Sequence, residues 1–205
     1  MIHHNLFPTA VSIDKLQREF TDEERAFFAK CKEDVVENIG NATTKNNYVL
    51  RDAVLTQLHD DLQASLQEYF SSIINPASKV TPYITQSWIN YTKPNGFHHK
   101  HAHSNSFISG VFYINADKEK DKLFFYKKDK PMFKVKPREW NVFNSESWFF
   151  QVGTYDILLF PSHLEHMVEP TTSGEERVSL SFNTFLKGSV GEQLSLTELI
   201  LGEEV

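Results

Sequence analysis

The sequence predicts a mainly β fold with two α-helices in its N-terminal part. Two stretches before residue 79 carry apolar residues at helical spacing, and from about Val80 the apolar period changes to two. Turn signals then separate many short apolar segments, and no helix-period stretch alternates with them. This combination favours a closed or two-sheet antiparallel β-architecture over a βαβ fold.

The first helix is predicted after a short strand at Leu6–Ile13. It begins at Thr21, because Glu24 three residues later completes a capping box. An apolar stripe at helical spacing continues it to Gly40, through Phe27, Phe28, Cys31, Val35 and Ile39. The polar residues 40–47 are expected to form a loop.

The second helix is predicted from a longer apolar stripe that ends before Asn75 and Pro76, since the residue before a proline disfavours helical backbone. The stripe consists of Val54, Leu55, Leu58, Leu62, Leu66, Tyr69, Phe70 and Ile73. We expect both helices to pack on one face of a sheet.

The rest of the chain is predicted to form strands and a short tail. The strand-like segments are 84–91, 106–115, 123–128, 134–144, 148–152, 156–161, 166–170 and 177–186. A single domain is expected, with a mainly helical part at 1–79, a β core at 80–188 and a tail at 189–205 that forms a short helix or an edge segment.

Composition restricts the partners and the location of this protein. Of its 205 residues, 40% are hydrophobic and 23% charged, as in ordinary soluble proteins. The formal net charge of −6 argues against a nucleic-acid partner, which normally meets a basic face. Cys31 is the single cysteine, so an intramolecular disulfide and a thiolate metal site are both excluded. Without an apolar run of membrane-spanning length or a signal-peptide core, we expect a cytoplasmic protein with no membrane partner.

A run of four histidines predicts a metal site. His99, His101 and His103 share parity and would point to one face of a strand, whereas His98 would face the other way. Neutral imidazole is the commonest protein ligand for metals. Parity allows either His99 with His101 or His101 with His103, and His101 belongs to both pairs.

A third ligand has to come from elsewhere in the chain. His166 is the candidate, because it follows a buried-looking strand and a turn in DILLFPSHLEH. Further along, Arg177 and Ser179 share one strand face, where a guanidinium and a hydroxyl can together bind a carboxylate. A surface arginine paired with Glu175 or Glu176 is the alternative.

These motifs resemble the Fe(II)/2-oxoglutarate-dependent dioxygenase superfamily. The shared features are LFPT near the start, W-x-N at Trp88 and Asn90, H-x-H followed by SGVFY, FPS-x-x-x-H, and RVSLSFN. Within the superfamily the chain is similar to a prolyl-hydroxylase-like group of oxygenases from marine bacteria and phages. The resemblance covers Leu6 to Phe185 and implies a double-stranded β-helix, or jelly-roll, core buttressed by the two α-helices.

The resemblance also assigns roles to individual residues. It implies that His101, His103 and His166 bind the metal, although His103 stands where the superfamily usually has Asp or Glu. For 2-oxoglutarate it implies Arg177 and Ser179 on the distal carboxylate, with Tyr113 donating a hydroxyl. Asn90 and Tyr91 are weaker candidates for the same pocket, and Trp88 is expected to pack in the core.

The implied activity is that of a hydroxylase. Fe(II), the cosubstrate 2-oxoglutarate and O2 would serve to hydroxylate a C–H bond, releasing succinate and CO2. A peptidyl residue such as proline is the leading substrate and a small metabolite the next; a homodimer is compatible with the sequence.

Several alternatives stay open at this point. Replacement of a carboxylate by imidazole removes a negative charge from the metal site. His103 would therefore be a true ligand in a three-histidine site, or His99 would replace it, or the position would be open. A cupin-like three-histidine enzyme that does not use 2-oxoglutarate, and a non-catalytic metal-binding jelly-roll module, are the two other functional classes.

Overall fold

The computed structural model describes residues 1–128 and 132–202. Two antiparallel sheets form most of it, and two α-helices lie in the N-terminal part, so the predicted mainly β class is confirmed. In the described part of the chain, no helix is both long and apolar enough to cross a membrane.

Helix α1 (Asp22–Cys31) begins at the predicted capping box. The backbone N–H of Glu24 donates to Thr21 Oγ1 at 3.1 Å, and the Glu24 carboxylate accepts from the Thr21 N–H at 2.8 Å. The prediction that this helix reaches Gly40 is wrong, and so is the predicted loop after it. Strands β2 (Val35–Asn38) and β3 (Asn41–Thr44) form a hairpin there.

The early end of α1 has a local cause. Val35 and Val36 are β-branched and favour strand backbone. Asn38 pairs with Asn41, so Gly40 lies in the turn between the two strands, and its φ of +87° is one that glycine adopts readily. The apolar residues that seemed to extend one helical stripe therefore belong to two different elements.

Helix α2 (Thr56–Tyr69) confirms the second predicted helix. Short 3₁₀ turns at Val49–Arg51 and Ala53–Leu55 precede it, and a π-helical turn at Phe70–Ile74 follows it. The buried members of the stripe within α2 are Leu58, Leu62, Leu66 and Tyr69. The chain leaves the helix at Asn75, whose φ of 48° is left-handed.

The first sheet has the strand order β1-β9-β6-β11-β4-β3-β2, with β12 paired to β11, and the second has the order β5-β10-β7-β8. The remaining strands are β1 (Ser12–Lys15), β4 (Val80–Thr92), β5 (His98–His101), β6 (Ile108–Asn115), β7 (Lys122–Tyr126), β8 (Ser147–Gln151), β9 (Asp156–Pro161), β10 (His166–Val168), β11 (Arg177–Val190) and β12 (Leu199–Leu201). Strand β12 agrees with the edge segment expected in the tail, whose residues 203–205 lie outside the described part.

Two predicted strands differ from the structure. The first strand begins at Ser12 instead of Leu6, since Pro8 lacks a backbone donor and Phe7 has φ of 59°. Segment 134–144 is not a strand: its Asn141 and Asn144 side chains accept from nearby backbone N–H groups and form a turn instead.

Apolar residues pack on both faces of the first sheet. Its outer face meets the helices, where Ile89 and Leu180 contact the α2 stripe in one buried cluster. A second cluster lies between the two sheets and includes Phe125 and Phe160. The space between the sheets also contains the polar residues of the candidate site.

Gly110 in the SGVFY motif is required by close packing across β6 and β11. It lies opposite Phe182, and a Cβ atom at this position would stand 2.0 Å from the Phe182 ring. We expect Gly110→Ala to lower the free energy of unfolding by about 1–3 kcal/mol, because the buried ring has to move. Urea denaturation measures this, with Gly174→Ala as the control, since no atom lies within 4 Å of a Cβ at Gly174. Equal stability of the two variants would contradict the packing argument.

Candidate metal centre

Two of the predicted ligands face each other across adjacent strands. His166 begins β10 and is the register partner of His101 at the end of β5. Their ring centroids are 4.4 Å apart. Antiparallel pairing therefore brings together two histidines that are distant in sequence.

His103 joins this pair from the segment after β5. Its backbone N–H donates to the carbonyl of Ser162 at 2.9 Å, which holds this segment beside the end of β9. His103 Nε2 lies 3.2 Å from His101 Nε2, and one nitrogen from each of His101, His103 and His166 lies within 4.8 Å of the others. We call these three residues the three-histidine centre.

Each ring of the centre is oriented by an oxygen atom at Nδ1. The three contacts are His101 Nδ1 to the His99 carbonyl at 2.8 Å, His103 Nδ1 to Asn183 Oδ1 at 2.6 Å, and His166 Nδ1 to the Leu164 carbonyl at 3.0 Å. Oxygens of this kind only accept, so Nδ1 carries the hydrogen in every ring. The lone pair of every Nε2 is thus left for a metal ion.

The short distance between His101 Nε2 and His103 Nε2 indicates whether a metal ion fits between these rings. With hydrogen on both Nδ1 atoms, His101 and His103 direct two lone pairs at each other across 3.2 Å, which is unfavourable unless a cation lies between them. Imidazole nitrogens bind divalent metals at about 2.1 Å, so two neighbouring ligands of one ion stand about 3 Å apart. The donor set therefore fits a divalent transition metal such as Fe(II).

Burial keeps these imidazoles neutral. Burial, together with the neighbouring histidines, lowers the pKa of His166 to about 3. Burial also lowers the pKa values of His101 and His103. Neutral imidazole is the form that binds metal, so the centre is ready for a cation at neutral pH.

The structure distinguishes His103 from His99. His103 is partly buried, and its supporting Asn183 is itself fixed because Asn183 Nδ2 donates to Gln86 Oε1 at 3.2 Å. His99 is exposed and lies outside the group formed with His166. Geometry thus groups His103 with His101 and His166.

His98 reaches the cavity, contrary to the parity prediction. A β-bulge between the His166–His101 and Val168–His98 pairs adds a residue to β5. His98 consequently lies on the side of His101, with ring centroids 4.4 Å apart and an interplanar angle of 27°. Strict alternation cannot reveal such a bulge.

The opposite wall of the cavity is the inner face of the first sheet. Ser179 on β11 is the register partner of both Asn90 on β4 and Tyr113 on β6. All three line the same cavity as the three-histidine centre, and so does Arg177. Cross-strand pairing thus places a guanidinium group, two hydroxyl groups and an amide beside the imidazoles.

Arg177 is buried in an ion pair that sequence reasoning missed. Only 3% of it is exposed, and Nη1 donates to Asp121 Oδ1 at 3.2 Å. The same carboxylate oxygen accepts from Thr171 Oγ1 at 2.7 Å. The surface pairing with Glu175 or Glu176 is therefore excluded. Asp121 belongs to the charged run DKEKDK at residues 117–122, in which nothing distinguishes it as a buried residue.

Asn90 carries an unpaired polar atom on the cavity wall. Its Nδ2 donates to Ser181 Oγ at 3.0 Å, whereas Oδ1 is buried without a hydrogen-bond partner among the described residues. A buried polar atom of this kind costs about 1–3 kcal/mol unless a ligand or water satisfies it. The unpaired oxygen can accept only from a donor, such as a water molecule or an N–H or O–H group of a ligand. The donors of Arg177, Ser179 and Tyr113 in the same cavity fit a ligand that carries a carboxylate.

Two expectations for β4 are corrected. Tyr91 lies on the outer face of the sheet, where its hydroxyl donates to the Phe28 carbonyl at 2.8 Å, so it does not line the cavity. Trp88 was expected in the core but lines the cavity, with its ring centroid 5.7 Å from that of His103. The alternation of the strand places Asn90 with Trp88 and sends Tyr91 the opposite way.

The sequence and the fold can be compared with known proteins. Residues 86–183, just under half of the chain, match the model of a family described as "Putative 2OG-Fe(II) oxygenase". No curated protein sequence matches the chain. The family match bears out the resemblance to the Fe(II)/2-oxoglutarate-dependent dioxygenase superfamily.

Several solved structures have a similar fold. HygX from Streptomyces hygroscopicus, with nickel, 2-oxoglutarate and hygromycin B bound, has a TM-score of 0.58 and 12% identity, covering 86% of this chain and 82% of that one. A prolyl-4-hydroxylase from Pseudomonas putida has a TM-score of 0.50 and 15% identity, and the match covers 85% of this chain and 92% of that one. An oxidoreductase of the 2OG-Fe(II) oxygenase family from Burkholderia pseudomallei has a TM-score of 0.50 and 11% identity, and the match covers 80% of this chain and 77% of that one. These similarities confirm the jelly-roll fold.

The burial of His166 predicts a pH dependence of stability. Its pKa is about 3 in the folded protein and about 6.5 in an unfolded chain, so the unfolded state binds more protons between these values. Without metal, the free energy of unfolding should therefore fall as the pH decreases from about 6.5 towards 3, by at most about 1.4 kcal/mol per pH unit for this residue.

Urea denaturation at several pH values, with a chelator present, measures this effect. His166→Gln should show a shallower pH dependence than the wild type, because the glutamine side chain does not titrate. His59→Gln, on the surface of α2, is the control and should keep the wild-type slope. Identical slopes for wild type and His166→Gln would contradict the prediction.

Proposed function

From this likeness in sequence and fold, we propose that the chain is a non-haem Fe(II)- and 2-oxoglutarate-dependent dioxygenase that hydroxylates a C–H bond. One observation carries the proposal: three imidazoles with converging Nε2 atoms share a cavity with a buried arginine. The histidines on one wall of the cavity would bind a metal, and the arginine on the opposite wall would bind an anionic cosubstrate.

His101, His103 and His166 would hold the metal. Fe(II) bound there would supply, together with 2-oxoglutarate and O2, the oxidising power to place one oxygen atom in a substrate C–H bond, with succinate and CO2 as the other products. Because all three ligands are uncharged, the centre retains the full charge of the ion. An all-imidazole set should therefore bind Fe(II) more weakly than a set with a carboxylate, and attract an anionic cosubstrate more strongly.

Arg177 would bind the distal carboxylate of 2-oxoglutarate. Asp121 orients its guanidinium through Nη1 and balances its charge while the pocket is free. Ser179 on β11 would donate a hydrogen bond from its hydroxyl group, and Asn90 beside it on β4 would accept one from a water molecule or a donor group in the pocket. Burial raises the pKa of Tyr113, so its hydroxyl keeps its proton and can donate to the carboxylate.

The substrate would enter through a cleft of about 380 Å³ beside the centre. The cleft is lined by the four clustered histidines and by Asn38, Thr43, Asn47, Gln86, Trp88, Ala102, Ser104 and Asn183. Amides, hydroxyl groups and an indole recognise uncharged polar molecules, which fits a peptidyl residue such as proline or a small metabolite. Both classes occur in the names of the similar structures.

A spectroscopic titration tests the proposal. Anaerobic protein with Fe(II) should develop a visible charge-transfer band when 2-oxoglutarate is added, because both chelating oxygens of the cosubstrate then bind the metal. Arg177→Ala should shift the titration to roughly tenfold to hundredfold higher 2-oxoglutarate, which corresponds to the loss of a charged hydrogen bond worth about 1.5–3 kcal/mol. Arg138→Ala, at an exposed position, is the matched control and should titrate like the wild type.

His103→Ala distinguishes the possible metal sites. Loss of the band would support the three-histidine centre, whereas a persistent band would mean that His99 or an open position completes the site. Succinate formation with Fe(II), 2-oxoglutarate and O2 measures turnover. Bound iron without any band in the wild type would contradict the use of 2-oxoglutarate and favour the cupin-like or non-catalytic alternative.

A further inference from the structure

We propose that His98, His99 and His101 form a second metal site, which faces solvent and shares His101 with the three-histidine centre. We call this group the outer site. One imidazole nitrogen from each of its residues lies within 4.8 Å of the others. The proposed ligand is a divalent transition-metal ion such as Fe(II), Co(II) or Zn(II).

The β-bulge in β5 creates the outer site. In a regular strand His98 and His99 would point to opposite faces, but the extra residue turns His98 towards His101. The ring centroids of His98 and His101 are 4.4 Å apart, and His99 lies 5.2 Å from each of them. His99 is exposed, so its ring is free to rotate about its side-chain bonds towards an ion bound by the other two.

The shared imidazole makes the two sites alternatives. His101 Nδ1 is occupied by its hydrogen bond to the His99 carbonyl, so Nε2 is the one nitrogen left for a metal. That atom lies 3.2 Å from His103 Nε2 and therefore also belongs to the three-histidine centre. A single ion can bind His101 at any one time.

Position suggests what the outer site does. His98, His99, His101 and His103 all line the open cleft, whereas His166 is only 4% exposed. An ion from solvent thus meets the outer site first and can pass to His103 and His166 while His101 remains bound. Exchange of one imidazole for another avoids full rehydration of the ion, so the outer site would accelerate loading of the centre.

Titration with Co(II), whose visible bands report coordination, tests the outer site. His103→Ala breaks the three-histidine centre and leaves the outer site complete, so this variant should still bind Co(II). Adding His99→Ala to it should weaken binding at least about tenfold, since loss even of a residue that only supports a ligand costs that much. His59→Ala in the same background is the matched control and should have no effect. His166→Ala provides a second background with the centre broken, should His103→Ala fold poorly.

The kinetic role has its own measurement. His99→Ala alone should keep the equilibrium affinity for Co(II) at the centre but slow metal uptake several-fold in stopped-flow mixing. Equal affinity of His103→Ala with and without His99, or equal uptake rates of wild type and His99→Ala, would overturn the proposal. None of these experiments contains 2-oxoglutarate, so their outcome is independent of whether the chain uses that cosubstrate.

Discussion

The antiparallel pairing of β10 with β5 is the interaction on which the candidate site depends. It places His166 opposite His101, and a shift of one residue would send His166 to the other face of the sheet. The bulge in the same pair turns His98 inwards. This short pairing, between three residues of β10 and four of β5, therefore places His101 and His166 of the three-histidine centre and His98 of the outer site.

Strand β11 connects this centre to the rest of the cavity. Its residues Arg177 and Ser179 line the cavity, and Asn183 lines the adjoining cleft beside His103. Pairing with β4 and β6 brings Asn90 and Tyr113 beside Ser179. Asn183 accepts a hydrogen bond from His103, whereas Arg177 is paired with Asp121 at the other end of the cavity. The same strand buries Leu180 and Phe182 on its other face, so the stability of the core and the geometry of the site rest on one register.

Histidine at position 103 changes the electrostatics of the site. A carboxylate there would offset one charge of the ion, whereas imidazole leaves that charge to be balanced by the cosubstrate or substrate. Asn183 Oδ1 accepts a hydrogen bond from His103 Nδ1, and an ionised Asp side chain would have no donor for this oxygen. The protein environment of residue 103 is thus matched to histidine, which supports a genuine three-imidazole centre.

Periodicity in the sequence alone determined the mainly β class, the start of α1 and the stripe of α2. Parity left two histidine pairs open, and the resemblance to the dioxygenase superfamily linked His101 and His103 with distant His166 and Arg177. Sequence periodicity shows which residues alternate, but it does not show which strands pair or where a strand contains an extra residue. The bulge at His98 and the position of Trp88 at the cavity were therefore revealed only by the tertiary structure. The burial of Asp121 and its pairing with Arg177 were also revealed only by the tertiary structure, because the neighbouring sequence is the same for a buried and a solvated carboxylate.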